Sequence, residues 1–169
     1  MKKHIFLIGL FLIGCSSNDK YLANEGEVNI EYLFNSPNTK WFKANYESYV
    51  LDDATLDSGF SKIFNYEIEI YMNTKCHDSK REVPRLIKIL NSLNFPEKNL
   101  KIILLNSEKK TSDGLEIGKL ITNTPTIIFL NKSEEVNRIV EFPYENLEKD
   151  ILKIINNKNY KHVYYSEWY

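Results

Sequence analysis

Apolar residues recur along this chain with two periods, and the switch between them marks its elements. Trp41, Asn45, Tyr46 and Tyr49 fall on one helical stripe after a Ser36-Pro37 start signal, and Leu56, Phe60, Ile63 and Phe64 fall on another after Asp53. From residue 66 the pattern alternates: a strand over 66–72, then a helix over 79–93 with Leu86, Ile87, Leu90 and Leu93 on one face. The continuous apolar run 100–105 predicts a buried strand, and a loop rich in Lys, Ser and Asp leads to a short helix around 115–120. Residues 126–130 and 136–140 flank Asn131-Lys132-Ser133 and predict a hairpin. A helix over 144–155, with Leu147, Ile151, Leu152 and Ile155 inward, closes the pattern. This order predicts an α/β domain with one central mixed sheet flanked by helices and an N-terminal helical extension over 27–64.

The chain start follows neither period. Met1-Lys2-Lys3-His4 precedes an apolar run from Ile5 to Ile13, about half the length a spanning helix needs, and reads as a signal peptide over 1–14. The run ends in Leu12-Ile13-Gly14-Cys15, which resembles the lipobox of bacterial lipoproteins. That resemblance implies acylation of Cys15, which becomes the new N-terminus and tethers the chain to a membrane through residues 15–26. Removal of Lys2 and Lys3 takes the formal charge from −1 to −3. Several acyl chains, each contributing about 0.8 kcal/mol per buried methylene, hold a domain stably where a single chain is marginal.

Composition narrows the rest. With 169 residues, 43% hydrophobic and 27% charged, the chain has material for one core, which argues against disorder. Its 22 basic and 23 acidic residues leave no positive excess for a phosphate backbone, which argues against nucleic acid as a partner. The tail 156–169 carries Tyr160, Tyr164, Tyr165, Trp168 and Tyr169, and either packs back on the domain or forms a partner-binding patch.

Cysteine usage is the strongest chemical signal. Once Cys15 carries lipid, Cys76 is the sole thiol, so no intramolecular disulfide can form. A lone thiol in an oxidising compartment is either a small buried hydrophobe or a used group. Its neighbours Lys75, His77, Asp78 and Ser79 are hard to bury together, and Cys76 sits where a strand ends and a helix begins. There, unpaired backbone N–H groups favour thiolate. His77 adds positive charge when protonated while Asp78 opposes it. No second cysteine or matched histidine completes a metal shell, so neither metal nor cofactor is expected.

The stretch Tyr71-Met72-Asn73-Thr74-Lys75-Cys76-His77-Asp78-Ser79, followed by Arg81-Glu82-Val83-Pro84, resembles the active-site turn of thioredoxin-like proteins. Cys76 stands at the nucleophile position, Pro84 at the helix-kinking proline, and Thr124-Pro125-Thr126 matches the cis-proline loop. An ordinary trans proline at a strand start is the milder reading of Pro125. The resemblance covers about 65–155. Cys-x-Asp-Ser with Arg-Glu-Val-Pro, together with Arg138-Ile139-Val140-Glu141-Phe142-Pro143, is similar to a group of thioredoxin-like lipoproteins of Gram-negative bacteria. It implies that Cys76 is a nucleophile tuned by His77, that Ser79 hydrogen-bonds the thiolate, and that Thr124 and Pro125 dock a polypeptide backbone. Ser79 replaces the resolving cysteine, Lys75 the usual tryptophan, and Ile70 the buried carboxylate, with Glu69 on the opposite face of its strand. The resulting expectation is monothiol exchange with protein thiols or disulfides. The alternative is a redox-inactive module holding an extended polypeptide. Ser16 after Cys15 is compatible with an outer-membrane location facing the periplasm.

Overall fold

The computed structural model describes residues 23–168, with side chains through 166. The expected signal peptide, 1–14, and Cys15, the expected lipidation site, lie outside the described residues. Five strands form one mixed sheet: β1 (Gly26–Val28), β2 (Glu67–Met72), β3 (Leu100–Leu104), β4 (Thr126–Asn131) and β5 (Glu134–Val140), in the order β1-β3-β2-β4-β5. β2 and β3 run parallel and the other neighbours antiparallel. The helices are α1 (Ile30–Asn35), α2 (Phe42–Ser48), α3 (Asp53–Leu56), α4 (His77–Ser92), α5 (Leu147–Ile155) and α6 (Tyr165–Trp168). Among the described residues no helix is long and apolar enough to cross a membrane.

Period-two patterning gives the sheet two apolar faces. Ile68, Ile70, Met72, Ile102, Leu104, Ile127 and Phe129 point to one face and meet α1, α2, α4 and α5 in the main core. Tyr71, Ile103, Leu105, Ile128 and Leu130 point to the other, where, among the described residues, the hydrophobics packed against them are Leu115 and Ile121 of a long loop. The core helices therefore lie on one face rather than flanking the sheet. The helix expected around 115–120 is a run of turns. Gly114 and Gly118 have φ of +68° and +81°, and Leu120 has φ of 51°, values a right-handed helix cannot accommodate.

Other boundaries move for local reasons. The expected linker and helical extension meet in a strand, because Gly26–Val28 finds the free edge of β3. Asn29 then caps α1 by accepting from the Tyr32 N–H at 2.9 Å, a helix the periodicity does not reveal. The second N-terminal stripe is split at Gly59, whose φ is 137°. α5 starts at Leu147 under Asn146, not at 144, and buries Ile154 in full while Leu152 is only partly covered. At the hairpin, Lys132 and Ser133 both have positive φ, the signature of a two-residue primed turn. The tail packs back: Tyr160 is buried and donates to Asp150 at 3.0 Å.

α4 carries Pro84 in its interior, where the missing N–H leaves the Lys80 carbonyl without an intrahelical donor. Asn45 on α2 donates its side-chain N–H to that carbonyl at 2.9 Å. The proline thus becomes an anchoring point between two helices, and the first turn of α4 is held against the core.

Candidate functional site

β2 delivers the chain to the site, and Asn73 turns it. The Asn73 Oδ1 accepts from the Lys75 N–H at 2.8 Å, its Nδ2 donates to the Leu105 carbonyl at 2.8 Å, and its backbone carbonyl accepts from the Cys76 N–H at 3.1 Å. Its own N–H donates to the Ser79 Oγ at 3.3 Å. Four polar groups of one residue therefore fix the turn 73–76. Sequence reasoning passed over Asn73, although an Asn where a strand gives way to a polar turn is the available signal.

Cys76 is the N-cap residue of α4, with extended backbone angles of −67° and 131°. It is half-buried, and its thiol donates to the Thr124 carbonyl, with Sγ 2.9 Å from the oxygen. The Thr124–Pro125 peptide is cis. Thr124 and Pro125 are both buried, and of the two expected docking residues Thr124 lines the groove beside the sulfur. The loop is held from behind: the Glu141 N–H donates to the Pro125 carbonyl at 2.7 Å, and the Thr126 hydroxyl to the Asn123 carbonyl at 2.7 Å.

The other two expected residues are arranged differently. Ser79 is buried, with its oxygen accepting from Asn73; among the described residues it makes no hydrogen bond to the sulfur. Its place inside the first turn of α4 aims it at the turn backbone. The His77 side chain is 84% exposed and turns toward Asp78, 3.8 Å away, and Arg81. It faces along the helix, as its position one residue past the cap dictates.

Behind the site the charges are paired. Arg81 bridges Asp78 at 2.6 Å and contacts the buried Glu82, whose carboxylate also meets Arg85 at 3.2 Å. Those carboxylates hold the Arg81 guanidinium above its ordinary pKa against the opposing effect of burial. On the helix-free face, Glu69 binds Lys119 at 2.6 Å and accepts from Tyr71, and burial followed by that contact raises the Tyr71 pKa. Ile70, at the position of the expected missing carboxylate, is fully buried in the main core.

A groove of about 640 Å³ opens beside the sulfur. Asn73, Thr74, Lys75, Cys76 and Thr124 line it together with Asn24, Glu25, Leu105, Asn106, Ser107 and Lys109. Its size is within the range of small-ligand clefts. Among the described residues, no group of three or more His, Cys, Asp and Glu side chains is placed to hold a metal.

No known family model matches this chain. No curated protein matches it. Two solved structures are similar. One, a protein of unknown function from Pseudomonas aeruginosa, is 14% identical with a TM-score of 0.45, over 72% of this chain and 74% of that one. The other, an HIV epitope-scaffold, is 13% identical with a TM-score of 0.47, over 83% of this chain and 87% of that one.

Proposed function

We propose that this chain is a thioredoxin-like, lipid-anchored protein of the bacterial cell envelope whose Cys76 exchanges with disulfides by a monothiol route. The observation that carries the reading is the half-buried Cys76 sulfur, 2.9 Å from the Thr124 carbonyl at the wall of an open groove. The β2-α4-β3 crossover, the β4-β5 hairpin and the following α5 support the fold reading. The stretch between β3 and β4 departs from it, since a loop stands where a helix was expected.

The chemistry balances without a second cysteine. The Cys76 thiol gives its proton to solvent, and the thiolate attacks one sulfur of a disulfide R–S–S–R′. A bond forms between Sγ and R–S as the original S–S bond breaks, and R′S⁻ leaves and takes a proton from water. An external thiolate R″S⁻ then attacks the R sulfur of the mixed disulfide; a new R–S–S–R″ bond forms as the bond to Sγ breaks, and Cys76 leaves as thiolate and takes a proton from water. Ser79 supplies no internal thiol, so release waits for that external one.

The test uses the full chain with Cys15→Ser, which leaves Cys76 as its sole thiol. Incubation with 2-hydroxyethyl disulfide should give one mixed disulfide by mass spectrometry, reversed by added thiol and absent in Cys76→Ala. A folded chain that stays unmodified while the urea-unfolded chain reacts would remove the exchange reading and leave a groove that holds polypeptide without turnover.

A further inference from the structure

The walls around the sulfur carry an uneven distribution of charge. Glu25 is the single acidic side chain lining the groove, and both its oxygens are turned onto the wall: Asn106 Nδ2 donates to one at 3.3 Å and the Ser112 N–H to the other at 3.1 Å. Lys75 and Lys109 also line the groove, are exposed, and form no ion pair among the described residues. Glu108, next to Lys109, does not line it.

A second hollow of about 300 Å³ has His77, the residue after Cys76, in its lining. It is lined by Lys80, Arg81 and Arg85 with Asn45 and Ser48, and by no carboxylate. The nearby acids are already engaged, Asp78 by Arg81 and Glu82 by Arg81 and Arg85. Lys80 forms no ion pair among the described residues. Lys75 and Lys109 therefore set two positive charges on the groove against the one negative charge of Glu25, and Lys80 adds a third positive charge in the neighbouring hollow, in a chain whose formal charge is −1. Clefts lined by one sign of charge raise the local concentration of the opposite sign and speed its encounter.

Building on the monothiol reading, we propose that the exchange partner is a low-molecular-weight disulfide bearing negative charge. Two features combine in this choice: the groove is of small-ligand size, and its lining is net cationic, Lys75 and Lys109 against Glu25. Carboxylates on the partner would meet Lys75 and Lys109 while its S–S bond lies at Sγ. The leaving thiolate departs past the same lysines.

Three disulfides of similar size and different charge test this on the full chain carrying Cys15→Ser: dithiodiglycolate, 2-hydroxyethyl disulfide and cystamine. Rates of mixed-disulfide formation at Cys76 are divided by those of a free small thiol with each reagent, which removes intrinsic electrophilicity. Normalised rates should fall from anionic to neutral to cationic, with the anionic-to-neutral ratio roughly fivefold at low salt and near one at high salt. Lys109→Glu and Lys75→Glu, made separately so that one folded variant suffices, should each lower that ratio. Equal normalised rates for all three reagents, or a ratio indifferent to salt, would overturn the charge preference and leave the exchange reading intact. Absence of an adduct with every reagent would instead overturn both.

Discussion

At the scale of single residues, the position of the sulfur is set by Asn73 more than by the residues beside it. Its amide bridges the turn 73–76 to the end of β3 through the Leu105 carbonyl, and its Oδ1 closes the turn onto Lys75. Replacing Asn73 with Ala strips a partner from each of those backbone groups, and a net hydrogen bond is worth about 1 kcal/mol with more lost when the group is left dry. Asn73→Ala should therefore cost about 1–3 kcal/mol in urea unfolding and slow adduct formation at Cys76. Asn73→Asp keeps the acceptor for Lys75 while losing the donor to Leu105, and should fall between. Unchanged adduct kinetics in a destabilised Asn73→Ala would show that the turn supports the fold without presenting the sulfur. The contrast with His77 and Ser79 is instructive. Adjacency to a cysteine in sequence says little about adjacency in space at a helix start, where successive side chains diverge.

At the scale of elements, what could be read from the chain was what repeats. The strands 66–72, 100–105 and 126–130 and the long helix were legible because each buries a period-two or 3.6-period face. The Cys76 cap and the Thr124-Pro125 loop were legible because cysteine and proline are rare punctuation with few structural uses. Elements held by single polar contacts were not. α1 hangs on Asn29, β1 is three residues long on a borrowed edge, and the covering loop gets its shape from left-handed positions at Gly114, Gly118 and Leu120. The tail belongs to the same class, and its docking should depend on pH. His162 is buried, accepts from the Tyr164 N–H at 3.3 Å and stacks edge-on with Tyr165. Burial first, and then the nearby Arg138, lower its pKa below 6.5, with Glu135 opposing. The unfolded chain thus binds the proton more readily, so the stability from neutral His162 is full above about pH 6.5 and is lost as pH falls through the depressed folded value. Asp150, which holds Tyr160, has the opposite sign: burial raises its pKa, and its contribution is lost as pH rises through that value. Between about pH 7 and pH 5 the natural chain should lose more stability than His162→Phe, with amide protection falling first over 160–165. Parallel stability curves for the two proteins would remove His162 from the account.

At the scale of the molecule, the sheet is covered unequally, and one residue compensates. The main core has helices above it, whereas Tyr71, Ile103, Leu105, Ile128 and Leu130 rely on the loop that brings in Leu115 and Ile121. Arg138, opposite Ile128 in the β4–β5 register, is buried under that loop. Its guanidinium takes both Glu135 oxygens at 2.6 Å and donates to the Lys119 carbonyl at 2.9 Å and the Leu120 carbonyl at 3.3 Å. Glu135 is thereby part of a clamp. Charge-assisted bonds of this kind contribute about 1.5–3 kcal/mol each to stability, and removing the guanidinium leaves carbonyls of a covering loop without a donor. Arg138→Met should lower global stability by about 2–3 kcal/mol and, before that, open the loop. The loop runs directly from Leu120 to Thr124, whose carbonyl receives the Cys76 thiol, so the opening has a route to the sulfur. Hydrogen exchange should therefore quicken over 115–124 while α4 and β2 keep their protection, and adduct formation at Cys76 should change with it. Exchange that quickens evenly across the sheet would mean that the covering loop and the main core unfold as one unit, and that the helix-free face is as firmly closed as the other.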